Sequence, residues 1–180
     1  MYTQAEASRL RENVERLTGV ILPQNIKCEK APGLCVSVTA EGGSIAAEDL
    51  SALSRGFFLA ARAVKENTLP MNVKQERHFH SVGAMVDMSR GAVMTVEAVK
   101  RYINELSALG MNFLMLYTED TYEVPEYPYF GYLRGRYTQD ELREIDAYAE
   151  SMGVELVPCI QTLAHLAQFL QWKDARKLAD

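Results

Sequence analysis

The chain lacks any apolar run near the roughly 20 residues that a membrane-spanning helix requires, so no bilayer crossing is expected. It also lacks a basic and then apolar leader. The first residues read Met-Tyr-Thr-Gln-Ala-Glu-Ala, so no signal peptide is read and a cytoplasmic location is expected. Cysteine is scarce. Cys28, Cys35 and Cys159 have no metal-ligand spacing, and their odd number leaves at least one unpaired in a monomer, which points to reduced thiols. Cys159 sits in an apolar run and reads as a small core residue. There are only three histidines, and the pair in His78-Phe-His80 has no further Cys or His cluster near it, so no metal is expected. Neither a phosphate-cradling glycine loop nor a nucleophile elbow appears, and no cofactor is expected. Positive charge is in deficit: 19 Lys and Arg stand against 24 Asp and Glu, a net charge of −5. Nucleic acid, which calls for a basic stripe, is an unfavoured partner.

What the chain does have is a hydrophobic fraction of 48% over 180 residues, enough for a real core in one large or two small domains. Leu10, Val14 and Leu17 have helical spacing, predicting a first helix over about 5–17. Leu34, Val36 and Val38 alternate with Cys35 and Ser37 as in a half-buried strand. Glu41-Gly42-Gly43 makes a turn, and residues 44–47 can return as the second arm of a hairpin. A long helix starts near Asp49 and stops at Asn67-Thr68-Leu69-Pro70, and an extended run follows from Val73 to Phe79. Residues 1–80 therefore read as a small α+β domain.

From Gly83 onward strand and helix alternate strictly. Strands are predicted over 83–88, 112–117 and 154–160. The helix between the first two has Thr95 as N-cap, Val96, Val99, Ile103, Leu106 and Leu109 as its apolar face, and Gly110 as its stop. Thr138-Gln-Asp-Glu141 is a capping box that opens a helix running to Met152. The fold class expected for 81–180 is α/β, with parallel strands joined by right-handed crossovers. Three such units do not close a (β/α)8 barrel, which typically needs about 250 residues. An open sheet and the front part of a longer barrel both fit. The chain stops in Lys173-Asp-Ala-Arg-Lys-Leu-Ala-Asp180 without a terminating signal, which favours the longer protein.

Each of the three strands begins apolar and finishes in groups that bind or move protons. In a parallel barrel such strand ends converge on the face that holds the active site. After the first strand, Arg90 offers a planar fork of donors suited to vicinal hydroxyls or a carboxylate; alternatively it pairs with Asp87 and only pins the turn. Glu119 and Asp120 follow the second strand. They either grip hydroxyls, orient a base, or cap the loop. His165 follows the third, either as a satisfied structural residue or as part of a relay with Gln161 and Asp120. Tyr117, Tyr122, Tyr127, Tyr129, Phe130, Tyr132 and Tyr137 crowd the long loop between, where aromatic faces can meet sugar rings or simply cover the rim.

The run Gly83-Ala-Met-Val-Asp-Met-Ser-Arg90 resembles the first barrel strand of glycoside hydrolase family 20, the β-N-acetylhexosaminidases. Tyr117-Thr-Glu-Asp-Thr-Tyr, the Tyr129-Phe-Gly-Tyr loop and Pro158-Cys-Ile-Gln-Thr-Leu-Ala-His165 are similar to the branch holding exo-β-N-acetylglucosaminidases and the hexosaminidase D type. The resemblance runs from Gly83 to about Trp172, and the preceding section resembles the family's small α+β domain less specifically. It implies that Arg90 holds hydroxyls of the terminal sugar, with Asp87, Glu119 and Gln161 as further substrate-side residues. It also implies that Asp120, rather than Glu119, and His165 support the catalytic acid. Gln161 departs from the family, in which many members carry Asp there. The implied reaction is retaining and substrate-assisted: the sugar's acetamido oxygen attacks the anomeric carbon. An Asp that orients that group and a Glu that protonates the leaving oxygen follow the family's fourth strand, beyond Asp180. The chain alone is therefore expected to be inactive, its partners being N-acetylhexosamine glycans and, through an open sheet edge, other copies of itself. The alternatives are a stand-alone carbohydrate-binding module and a structural half-barrel.

Overall fold

A computed structural model of the chain describes residues 2–161 and 164–179. Helix α1 spans Gln4–Thr18, opened by a capping box between Thr3 and Glu6, with Ala7, Leu10 and Val14 on its buried face. Strands β1 (Asn25–Lys30), β2 (Leu34–Val38), β3 (Gly42–Ala47) and β4 (Met71–Gln75) form one sheet in the order β1-β3-β2-β4. The expected hairpin is β2–β3, antiparallel with Val36 opposite Ile45. Strand β1 has no counterpart among the strands expected from the sequence: it runs parallel to β3 at the sheet edge, and only Ile26 and Cys28 lean on the core. Helix α2 (Leu50–Lys65) is capped by Asp49, whose carboxylate accepts the Ala52 N–H at 2.8 Å. It lies close on the sheet because Gly56 has no side chain; a Cβ there would stand 2.6 Å from Ile45 Cγ2.

The second sheet is parallel, with strands β5 (Gly83–Asp87), β6 (Phe113–Tyr117) and β7 (Glu155–Cys159) in chain order. The crossovers are α3 (Val96–Leu109) and α4 (Gln139–Ser151). Both begin as read from the sequence, at the Thr95 cap and the Thr138–Glu141 capping box. Gly110 stops α3 with a left-handed φ of 78°, a conformation that penalises a Cβ-bearing residue. An α/β fold is thus present, with each strand a residue or so shorter at its ends than predicted. After β7 comes only one short helix, α5 (Ala167–Leu170), and a 3-10 turn at Arg176–Leu178.

Leu114 and Leu116 turn one face of the parallel sheet into a core shared with Val99, Ile103, Leu106, Ile145 and Ala149 of the two crossover helices. Met85, on the opposite face, is 62% exposed. The same core continues into the first sheet through α2. Hydroxyls mark that junction: Ser54 bonds Ser107, and Ser107 Oγ donates to the Met152 carbonyl at 2.7 Å. Arg55 Nη1 also donates to the Ala108 carbonyl, at 2.7 Å.

Candidate functional site at the C-terminal strand ends

Asp87, Tyr117 and Cys159 lie in one row across the parallel sheet. The residues that follow each of them therefore emerge along a common rim. The Met88 N–H still bonds the Tyr117 carbonyl at 2.8 Å, so the chain leaves β5 without splaying from its neighbour. Ser89 then turns back, and its N–H and hydroxyl each donate to Asp87 Oδ1 at 2.7 Å. Those two bonds hold the Asp87 carboxyl below its ordinary value.

Glu119 is the hub. Its side chain is 3% exposed, and Arg90 Nη1 donates to Oε2 at 2.8 Å. The Tyr117 hydroxyl donates to Oε1 at 3.3 Å, and His165 Nδ1 stands 3.4 Å from the same oxygen. The hydrogen bond at Nδ1 comes instead from Arg90, and because a guanidinium only donates, Nδ1 accepts it and the ring proton sits on Nε2. Arg90 Nη2 lies 3.5 Å from Nδ1, so the three side chains form one cluster. Arg90 and His165 are 59% and 51% exposed, and their outer faces meet solvent. Glu119 and His165 have φ values of 49° and 61°, left-handed backbone that is uncommon outside glycine. Two such residues in contact across adjacent loops are the sort of strain found where side chains must be aimed.

Asp120 points elsewhere. It is buried, and Arg134 Nη2 approaches its Oδ1 at 3.3 Å without hydrogen-bond geometry, leaving that oxygen unbonded among the described residues. Burial pushes its carboxyl above the ordinary value, an effect that Arg134 partly offsets. The same guanidinium lies 4.0 Å from Glu119 Oε2 and donates to the Ser89 carbonyl. Arg134 thus joins the loops after β5 and β6. Tyr137 is a second tie between them: its hydroxyl donates to the Met94 carbonyl at 2.6 Å, and burial raises its pKa to about 12.

The aromatic loop folds on itself. Phe130, Phe169 and Ala175 form a separate small core, with Tyr122 and Tyr127 packed against it. Tyr129 stacks on Trp172 at 4.9 Å between centroids, with Tyr132 edge-on to both.

Of the residues expected at the site, Arg90, Glu119 and His165 come together, and Asp87 lies beside them in its own turn. Arg90 binds Glu119 rather than Asp87, so the turn-pinning reading is replaced. The expected partnership of Asp120 with His165 is also corrected: direction alternates along the chain, and it is Glu119 that faces the imidazole while Asp120 is turned into the loop. Gln161 is half-buried and makes no side-chain hydrogen bond among the described residues. Thr162 and Leu163 of the 158–165 motif lie outside the described residues. Sequence reasoning does not single out Arg134; an arginine within an aromatic loop beside an acidic pair is the available signal. His78 and His80 lie on an exposed segment just before β5, at the end of that strand opposite the rim, and among the described residues no group of three His, Cys, Asp or Glu could hold a metal ion. No helix among them is long and apolar enough to cross a membrane.

A parallel α/β sheet with charged groups gathered at its C-terminal rim is the arrangement of the barrel-type α/β class, whose sites lie at that end of the strands. Residues 79–179, more than half of the chain, match the family model described as glycosyl hydrolase family 20, catalytic domain. The chain belongs to that family. Solved structures agree on the fold. A family 20 exo-β-N-acetylglucosaminidase from Vibrio harveyi, in complex with N-acetylglucosamine, superposes with a TM-score of 0.71 at 21% identity, over 87% of this chain and 31% of that one. A chitobiase from Flavobacterium johnsoniae gives 0.68 at 21% identity, over 92% and 30%. A β-N-acetylhexosaminidase from Streptomyces coelicolor gives 0.65 at 20%, over 85% and 39%. The chain thus spans about a third of the length of the solved structures it resembles. No curated protein sequence matches it.

Proposed function

We propose that the chain is the N-terminal portion of a β-N-acetylhexosaminidase, comprising the α+β domain and the first three βα units of a (β/α)8 barrel, and that its rim forms one side of the pocket for a terminal N-acetylhexosamine. The observation that carries this reading is the Arg90–Glu119–His165 cluster at the ends of three adjacent parallel strands, with contacts of 2.8 and 3.4 Å. Glu119 engages one terminal nitrogen of Arg90 and His165 Nδ1 the other, which leaves the remaining N–H groups of the fork for adjacent sugar hydroxyls. With Nδ1 accepting from Arg90, the His165 proton lies on Nε2, which can donate a hydrogen bond to a carboxylate on another strand. Asp87, already engaged by Ser89, shapes the turn under Arg90. In a substrate-assisted mechanism the nucleophile is the sugar's acetamido oxygen, so the protein supplies orientation and a proton, not a second nucleophilic carboxylate.

The incomplete-barrel reading is supported by the exposed Met85 face and by an apolar groove of about 310 Å³ between α4 and β7. Leu116, Leu142, Leu156, Pro158 and Ile160 line it, whereas Arg90, Glu119 and His165 do not. It is placed to receive a helix that follows β7. The outer edge of β7, unpaired among the described residues, is placed to receive a strand from the rest of the protein or from another copy. On this reading the family's acid glutamate and acetamido-orienting aspartate belong to a fourth barrel strand outside the three strands of this sheet, and the chain by itself is inactive. Two measurements test it. The purified chain should not turn over a chromogenic N-acetylglucosaminide, and steady turnover would refute the inactivity. N-acetylglucosamine should bind to the wild type and lose at least about tenfold in affinity on Arg90→Ala, the order expected for charged hydrogen bonds. Equal binding by both would dismiss the Arg90 pocket.

A further inference from the structure

We infer that Tyr129, Tyr132 and Trp172 form a second saccharide-contact surface, which takes the sugar linked to the terminal N-acetylhexosamine on its leaving-group side. This deepens the proposed function and rests on it for the place of the terminal sugar. The loop carrying both tyrosines leaves the C-terminal end of β6, and the segment carrying Trp172 follows β7, so the corner belongs to the rim that holds Arg90 and Glu119. Tyr129 and Trp172 lie nearly parallel at 22°, and Tyr132 stands at 88° to Trp172. The result is a right-angled corner of three rings.

Packing of the loop accounts for Trp172, which leans on the small core, but not for the two tyrosines. The small core beneath is closed by Phe130, Phe169 and Ala175, all buried, whereas Tyr129 and Tyr132 remain 39% and 48% exposed. Their hydroxyls make no hydrogen bond among the described residues, unlike those of Tyr2, Tyr117, Tyr137 and Tyr148. Beside them Leu133 is 89% exposed and held at a left-handed φ of 59°, an unfavourable arrangement for a leucine on both counts. The corner is nevertheless held rigidly to the site. Arg134 ties the loop to Asp120 and the Ser89 carbonyl, and Arg136 Nη1 donates to the carbonyls of Pro128 and Phe130. Chemically, a pyranose presents a face of C–H bonds to the negative face of an aromatic ring and leaves its equatorial hydroxyls for polar groups at the edge. Half-exposed rings with unengaged hydroxyls suit that ligand.

Trp172 is the only tryptophan in the chain, so its emission reports on this corner alone. The experiment titrates the 180-residue chain with N-acetylglucosamine and with its β-1,4-linked trisaccharide, following Trp172 fluorescence and, independently, heat of binding. The trisaccharide is expected to bind about five- to tenfold more tightly, the worth of one ring-stacking contact, and to shift the emission. Tyr132→Ala should remove that gain and leave the monosaccharide unchanged, with Tyr129→Ala as a second variant and Tyr132→Phe as the conservative control. Equal affinities with unmoved emission overturn the inference while leaving the Arg90 pocket standing, as does a Tyr132→Ala loss shared by both sugars. Trisaccharide binding that shifts Trp172 and survives Arg90→Ala supports the corner and removes the pocket. If neither sugar binds, both readings fail.

Discussion

Removing the Arg134 side chain tests whether the two neighbouring carboxylates at the end of β6 depend on a shared counter-charge. Asp120 and Glu119 are each 3% exposed at the side chain, and Arg134 is 22% exposed. Breaking a buried ion pair by deleting one partner costs about 3–5 kcal/mol. Two things reduce that figure. Glu119 keeps Arg90 at 2.8 Å, and Asp120 can escape its unpaired charge by taking up a proton. Arg134→Met, which keeps most of the aliphatic stem, should therefore destabilise the chain by about 2–3 kcal/mol at pH 7, the order of magnitude of a hydrogen bond to a charged group. The pH dependence identifies the cause. The Asp120 carboxyl already lies above its ordinary value in the folded chain, so its contribution is complete below the unfolded value of about 3.9 and is lost as pH rises through the folded one. Without Arg134 the folded value rises further and the loss at neutral pH deepens. Urea unfolding at pH 4 and pH 7, followed by far-UV circular dichroism and Trp172 emission, should show a penalty that shrinks to about 1 kcal/mol in acid, the worth of the Ser89 hydrogen bond. Asp120→Asn should rescue most of the pH 7 penalty in the double variant. A penalty equal at both pH values, or one that Asp120→Asn leaves intact, would refute the reasoning.

Two further outcomes follow from the same rim. Among the nine tyrosines, Tyr137 should ionise last in a spectrophotometric titration of the folded chain, near pH 12, and Tyr137→Phe should delete that step. Because its folded value lies above the unfolded value of about 10, its stabilisation is complete below about pH 10 and lost as pH rises toward about 12, so the wild type should lose its advantage over Tyr137→Phe across that interval. Gly131→Ala should destabilise by about 1–3 kcal/mol in thermal or urea unfolding, since a Cβ there would collide with the Asp120 carbonyl on backbone at φ 65°; an unchanged midpoint would show that the loop relaxes.

Much of this was legible in the residues. Thr95, Gly110 and the Thr138–Glu141 pair announce helix ends by local hydrogen-bonding chemistry, which needs no tertiary context, and they fall where expected. Leu34, Val36 and Val38 declare a half-buried strand by alternation. Strand β1 was not legible because Asn25-Ile-Lys-Cys-Glu-Lys30 is an edge strand that buries little, and its parallel partner lies well beyond it in sequence. At the site, spacing brought Arg90, an acidic pair and His165 to one rim, yet could not decide between Glu119 and Asp120. That choice depends on which face of β6 packs on the helices: Asp120 shares the parity of the buried Leu114 and Leu116, and Glu119 that of Tyr117, whose hydroxyl it accepts. Arg134 was invisible for a related reason: it reaches Asp120 only because the intervening aromatic loop folds back on itself.

The serine pair at the seam between α2 and α3 bears on how the molecule would respond to a cut. Residues His78 to Ser81 form an exposed stretch between the two sheets, and Phe79 offers a protease a 72% exposed side chain. Cleavage there would break the covalent connection but not the bonds of Ser54, Ser107 and the Met152 carbonyl, nor the Arg55 bond to Ala108. The nicked fragments should travel together through gel filtration and part only in denaturant, much as two halves of a split protein stay joined.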